Sequence, residues 1–120
     1  MSNFSKVFFS ESDGGRPIKI SATSTPGTLI HTTDVSSSVI DEVWLYVHNT
    51  SGTTRNVTLE LGGTTNPDDR ILFGVEGGTG MDLVLPGVLL RGNDVSGKEL
   101  RVFCDSADVV TVIGYVNRAS

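Results

Sequence analysis

Residues 40–49 read Ile-Asp-Glu-Val-Trp-Leu-Tyr-Val-His-Asn, and residues 55–61 follow as Arg-Asn-Val-Thr-Leu-Glu-Leu. Each stretch alternates two sets of side chains, namely Val43, Leu45 and Val47 against Trp44, Tyr46 and His48, and then Val57, Leu59 and Leu61 against Thr58 and Glu60. Successive side chains of a strand point to opposite faces, so this period of two predicts two β-strands. The first-named set of each pair is expected to face the core.

Two later stretches repeat the pattern, with Leu100, Val102 and Cys104 in one inward set and Val110, Val112, Gly114 and Val116 in the other. Gly, Pro, Ser, Thr, Asn and Asp interrupt the chain every few residues and leave no sustained helical stripe. Strands are predicted at 5–9, 17–23, 28–33, 39–49, 55–62, 70–75, 80–85, 88–91, 98–104 and 108–117. The expected fold is all-β, a single-domain antiparallel β-sandwich of jelly-roll type.

The segments between strands predict how the strands are joined. Residues 49–53 and 105–108 are interpreted as short hairpin loops, and Pro86-Gly87 as a sharp bend between two strands. Residues 10–16, Ser-Glu-Ser-Asp-Gly-Gly-Arg, interrupt the chain early. Residues 1–16 are therefore expected to form an N-terminal arm or edge strand, and residues 17–120 the sandwich.

Length and charge limit the possible function classes. A chain of 120 residues suits one domain with its own core. The formal net charge of -5 disfavours nucleic acid as a partner, because phosphate backbones repel an acidic chain. The chain has no apolar stretch of the roughly 20 residues that a membrane helix needs, so no membrane contact is expected. No secretory signal is recognisable at residues 1–9.

No motif predicts catalysis, a cofactor or a metal site, so the chain is not expected to be an enzyme. His31 and His48 lie 17 residues apart without a short-spaced ligand pair and are interpreted as surface or interface residues. The single cysteine, Cys104, fits a small buried apolar residue. Asp68 and Asp69 are assigned to turn chemistry. A serine–histidine–carboxylate triad remains formally possible, since its members need not be close in sequence.

The strands carry more apolar side chains than one core needs. Large apolar residues occupy presumed outward positions at Trp44, Tyr46, Phe103, Val109, Ile113 and Tyr115. A contiguous exposed patch of this kind marks a protein contact. Two other interpretations stay open: the arm or a long loop covers these strands, or the residues line a ligand cleft. The residues expected to make self-contact are Trp44, Tyr46, Phe103, Ile113 and Tyr115, and those expected to dock an arm on a neighbour are Phe4, Val7, Phe8 and Phe9.

The pattern formed by residues 40–50, 57–63, 86–87, 100–104 and 110–118 resembles small virion structural proteins of tailed bacteriophages, of the capsid decoration or cement kind. The resemblance covers roughly residues 28–118. It implies a protein on the outside of an icosahedral head, made in the host cytoplasm, with no cofactor and no catalytic residue. It also implies a homo-oligomer, with a trimer as the expected form, that binds the major capsid protein and bridges neighbouring capsid subunits.

Other functions remain open at this stage. The chain could be a tail, neck or fibre component of the virion. It could instead be a carbohydrate-binding β-sandwich module that uses Trp44 and Tyr46 as an aromatic platform. An enzyme is a third alternative, although its chemistry would have to come from scattered residues.

Overall fold

The computed structural model describes residues 3–120, and within them the protein is all-β. Met1 and Ser2 of the expected arm lie outside the described residues. The strands are β1 (Phe4–Phe8), β2 (Ile18–Lys19), β3 (Thr28–Thr32), β4 (Ile40–Asn49), β5 (Arg55–Leu61), β6 (Arg70–Val75), β7 (Met81–Leu90), β8 (Glu99–Cys104) and β9 (Val110–Ala119). Seven of these nine strands each match one predicted strand closely in position. β7 joins the strands predicted at 80–85 and 88–91, and the strand expected at 17–23 is reduced to the two residues of β2.

Two antiparallel sheets form the sandwich. Sheet A has the order β1-β9-β4-β7, with β2 also paired to β9, and sheet B has the order β3-β8-β5-β6. β1 and β2 pair with successive parts of β9, so together they form one interrupted edge strand. This composite edge strand, the first in the chain, pairs with β9, the last. Moving inward from both ends of the chain, β3 pairs with β8, β4 with β7, and β5 with β6. This nested pairing is the topology of a jelly roll, which confirms the predicted fold class.

The hairpin predictions were wrong. β4 and β5 lie in different sheets, and so do β8 and β9, so residues 50–54 and 105–109 are arches between sheets. Packed sheets lie only about 10 Å apart, so a loop that crosses between them can be as short as a hairpin loop. The buried Asn49 fixes the first arch, because its Nδ2 donates hydrogen bonds to the carbonyl oxygens of Thr53 at 2.7 Å and Val75 at 2.8 Å.

Pro86-Gly87 does not divide two strands, contrary to the prediction. β7 runs through both residues, and its register against β4 shifts on either side of the Trp44–Leu45 pair. Gly87 has a φ of 82°, which permits the extra residue of one bulge. Proline is tolerated here because β7 is an edge strand of sheet A, where one side of the backbone needs no partner.

The core lies between the two sheets. Of the residues predicted to face it, Leu61 and Gly114 are half-buried and the rest are at most 1% exposed. Phe9 also belongs to this core, since it is 2% exposed and its ring lies 5.7 Å from the ring of His31. The assignment of Phe9 to a docking arm is therefore wrong. Val7 packs partly against the core as well, because alternation turns positions 7 and 9 inward while Phe4 and Phe8 point outward.

β5 is buried on both faces, including the face of Thr58 and Glu60, which was expected to point away from the core. Thr58 is 8% exposed and Glu60 is fully buried. The connection between β2 and β3 covers Glu60, whose carboxylate accepts hydrogen bonds of 2.6 Å from the Thr25 hydroxyl and from the Gly27 amide. These bonds compensate the loss of water around the carboxylate.

Replacement of Gly114 by alanine tests the close packing of β9 on β4. An added Cβ would overlap the carbonyl oxygen of Trp44 on β4 and press on the Phe9 ring. We expect Gly114→Ala to lower the free energy of unfolding by about 1–3 kcal/mol, measured by urea denaturation. Gly52→Ala is the matched control, because a Cβ there meets no atom within 4 Å, and we expect a change within about 0.5 kcal/mol. Equal stability of the two variants would contradict the described register.

Candidate functional site: the outer face of sheet A

The outer face of sheet A carries apolar side chains on all four main strands, interrupted by Lys6 on β1, by Glu42 and His48 on β4, and by Thr111 and Asn117 on β9. We call this surface the apolar face, and its members are Phe4, Phe8, Ile40, Trp44, Tyr46, Met81, Leu83, Pro86, Leu89, Ile113, Tyr115 and Ala119. On β4 the side chains alternate between buried and half-buried, and the half-buried set points outward. An antiparallel sheet with one wet face would normally carry polar residues at such positions.

Strand register brings these side chains into rows. Tyr115 of β9 lies between Phe8 of β1 and Trp44 of β4, and Pro86 of β7 lies on the other side of Trp44. The next row is Ile113, Tyr46 and Leu83. Residues far apart in sequence therefore form one surface centred on these two rows. The row of Lys6, Asn117 and Glu42 separates it from Phe4, Ala119 and Ile40.

The edges of the apolar face are the most exposed part. The exposed fractions are 70% for Phe4, 59% for Phe8, 60% for Met81, 44% for Leu83 and 63% for Leu89. Shallow clefts flank the centre: one of about 280 Å³ is lined by Lys6, Val7, Phe8 and Tyr115, and another of about 240 Å³ by Ile40, Leu89, Leu90 and Arg91. Such clefts can receive apolar side chains of a partner.

The centre of the apolar face is held in place by contacts of its own. The Trp44 and Tyr115 rings stack with centroids 6.3 Å apart and planes 12° apart. The Trp44 Nε1 donates a 2.7 Å hydrogen bond to Glu42, and the Lys6 Nζ lies 5.5 Å from the Tyr115 ring centroid. The polar atom of the indole is therefore satisfied, and the ring offers an apolar surface of fixed orientation.

The structure brings together most of the predicted contact residues, but Phe103 lies elsewhere. Trp44, Tyr46, Ile113 and Tyr115 share the apolar face with Phe4 and Phe8 of the expected arm. Phe103 lies on β8 of sheet B, on the opposite side of the sandwich, with the Arg70 guanidinium 5.3 Å from its ring centroid. Alternation predicts that a residue points away from the core, but it cannot say which sheet the strand joins.

Sequence reasoning missed the contribution of β7. Met81, Leu83, Pro86 and Leu89 extend the apolar face to the edge of sheet A. Two register shifts opposite β4 change the phase of alternation within β7, so a fixed period of two does not identify these residues. The only signal in the sequence was an unusual density of Leu, Val and Met between residues 81 and 90.

A buried polar network lies behind the apolar face. His31 and Asp41 are at most 1% exposed, and the His31 Nε2 lies 2.7 Å from Asp41 Oδ2. Arg118 donates to both carboxylate oxygens, from Nε at 2.7 Å and from the terminal nitrogen at 3.0 Å. Because His31 belongs to β3 and the other two residues to β4 and β9, the network links sheet B to sheet A. The interpretation of His31 as a surface or interface residue was wrong.

Burial alone would raise the pKa of Asp41, but the hydrogen bonds and charges of His31 and Arg118 outweigh it and lower the pKa from 3.8 to about 2. The carboxylate is therefore ionised at neutral pH and compensated by the Arg118 guanidinium. The same ion pair raises the pKa of Arg118. A buried charge of this kind is tolerated because each of its oxygens has a partner.

The network does not have the geometry of a catalytic triad. The His31 Nδ1 accepts a 3.0 Å hydrogen bond from the backbone amide of Ser10, and the Ser10 hydroxyl accepts one from the Thr32 amide at 2.8 Å. Both imidazole nitrogens are thus engaged, and neither bonds to the serine hydroxyl in this arrangement. Within residues 3–120, no three His, Cys, Asp or Glu side chains cluster as a metal site would require.

Comparison with protein-family models, with characterised protein sequences and with solved structures returns no match for this chain. Within the part of the chain that the structure describes, no helix has the length and hydropathy needed to cross a membrane.

The lowered pKa of Asp41 predicts the acid stability of the protein. The ionised carboxylate stabilises the fold above pH 3.8, and this contribution is lost as the pH falls through about 2. The difference between the two pKa values corresponds to about 2 kcal/mol at neutral pH. Asp41→Asn should lower the free energy of unfolding at neutral pH by at least that amount. The difference in unfolding free energy between the variant and wild type should become smaller in acid.

The measurement is urea denaturation at neutral pH and at about pH 2. Asp13→Asn is the control, since Asp13 is exposed and pairs only with the exposed Arg16. If the difference in unfolding free energy between Asp41→Asn and wild type is the same at both pH values, the stabilising role of the ionised Asp41 is contradicted.

Proposed function

We propose that the protein is a structural virion component of the capsid decoration kind, which self-associates through the apolar face and binds the major capsid protein of a phage head. The observation that carries this proposal is the apolar face itself. A compact monomer in water rarely gathers so many large apolar side chains on one outer face, because their burial against a partner releases free energy. The jelly roll is also a common architecture of viral shell proteins.

The size of the apolar face suits a stable self-contact. Its longest strands have 10 residues. At about 3.4 Å per residue and about 4.8 Å per strand, the outer surface of the four strands, polar positions included, covers roughly 34 Å by 19 Å, or about 650 Å² of flat area. Side-chain relief adds to this flat area, and specific interfaces bury about 800 Å² on each partner.

The width of the apolar face also fits the proposed trimer. Three flat faces about 19 Å wide, closed around a common axis, would each lie about 5.5 Å from that axis. Packed sheets are about 10 Å apart, so the side chains of one sheet fill about 5 Å. Three copies would therefore close around an apolar centre without a large void.

The distribution of charge favours another copy of this chain as the partner. The chain as a whole carries a net charge of -5, which would oppose association of most of its surfaces. Within the middle two strands of the apolar face the one acidic side chain is Glu42, which accepts the Trp44 hydrogen bond, while Lys6 and Lys19 lie on the edge strands β1 and β2. Closure of the apolar faces thus brings few like charges together.

Leu83→Glu tests self-association. It places a charge in a central row of the apolar face, where Leu83 is 44% exposed and can be replaced without disturbing the core. We expect wild type to sediment as a trimer at micromolar concentration and Leu83→Glu as a monomer. Leu72→Glu is the matched control, because Leu72 is 71% exposed on β6, an edge strand of sheet B, and this variant should remain trimeric. A monomeric wild type would rule out this self-contact.

The position of the protein in the particle tests the decoration role. Cryo-electron microscopy of virions that carry a tagged copy of the chain should show it on the outer surface of the capsid shell. Density confined to the tail, neck or fibres would favour another virion component instead. Absence of the chain from purified virions, with specific glycan binding that Trp44→Ala abolishes, would favour a carbohydrate-binding module.

A further inference from the structure

The connection from β1 to β2 is attached to the sandwich through His31. Residues 9–17 leave sheet A after Phe8, and the buried Phe9 packs against the His31 ring. The Ser10 amide donates to His31 Nδ1 at 3.0 Å, and the Glu11 amide donates to the Ile30 carbonyl at 3.2 Å. These contacts hold the start of the connection on β3.

The hydrogen-bond partners assign the protonation state of His31. A backbone amide can only donate, so the Nδ1 that receives the Ser10 bond must carry no proton. The Nε2 faces the Asp41 carboxylate. An ionised carboxylate accepts hydrogen bonds and cannot donate them, so Nε2 carries the proton. His31 is therefore neutral in the described structure, in which residues 9–11 lie against β3.

A second proton on His31 would have to sit on Nδ1. That proton would point at the Ser10 amide, so two donors would face each other across 3.0 Å and the bond would be lost. The protonated ring would also add a positive charge beside Arg118, whose charge already compensates Asp41. The other charged neighbours are Asp34, which interacts with Arg118, and the exposed Glu11, while β8 places the apolar Leu100 beside His31.

We infer that His31 is an acid-sensitive latch: its neutral ring holds residues 9–11 against β3, and its protonation weakens their attachment. The latch itself rests on the hydrogen-bond geometry alone and stands whether or not the proposed function holds.

Nuclear magnetic resonance of the ¹⁵N-labelled full chain tests the latch. The ring nitrogens of His31 should report the neutral form protonated at Nε2 at about pH 8, with His48 as the internal reference. Hydrogen exchange of the Ser10 amide, corrected for the intrinsic effect of pH, reports the fraction of molecules in which residues 9–11 have left β3. This fraction should rise by up to about tenfold per pH unit as the pH falls towards about 5. Amides in the middle of β4 should keep their protection.

His31→Gln provides the matched variant, because its side-chain amide can accept from Ser10 and donate to Asp41 but cannot take up a proton in this range. Its Ser10 protection should not change with pH. Wild-type Ser10 protection that is independent of pH, or a neutral His31 ring protonated at Nδ1, would overturn the inference. The wild-type measurements decide the matter even if the variant does not fold.

Discussion

The structure depends on the packing of β4, which is buried on its inner face and paired along both edges. Its inward residues Val43, Leu45 and Val47 are fully buried in the core. Its edges are paired with β9 and β7, so it connects β7 to the rest of sheet A. Its outward residues Trp44 and Tyr46 form the middle of the apolar face. The same strand therefore stabilises the monomer and presents the surface through which we propose that it assembles.

Buried polar groups give this fold its fixed shape. Asp41, Glu60, Asn49 and His31 are all nearly inaccessible, and each has hydrogen-bond partners on another element. Asp41 joins the two sheets, Glu60 holds the connection that precedes β3, and Asn49 holds the arch between β4 and β5. An unpartnered polar group in these places would be costly, so the partners restrict the fold to one arrangement. A rigid platform loses little conformational freedom when it binds, which favours association through the apolar face.

The sequence predicts the strands, the core face and the excess of apolar surface, because a period of two is a local property. It predicts four residues of the apolar face on β4 and β9 by the same logic. It does not predict which sheet a strand joins, so Phe103 was placed with Trp44 and two arches were taken for hairpins. Nor does it predict the His31–Asp41–Arg118 network. In that network His31 and Asp41 are 10 residues apart, and Asp41 and Arg118 are 77 residues apart. The bulges of β7 and the inward turn of Phe9 also depend on tertiary packing.

The central claim is that the Trp44 side of sheet A is covered by other copies of this chain. Trp44 is the single tryptophan, so its fluorescence reports on that surface alone. The most direct measurement is acrylamide quenching of Trp44 over a dilution series from high to low protein concentration. The account predicts weak quenching and a blue-shifted emission in the concentrated sample, with stronger quenching and a red shift on dilution. Quenching and emission that stay constant over the whole series, at the level of a half-buried indole, would contradict it.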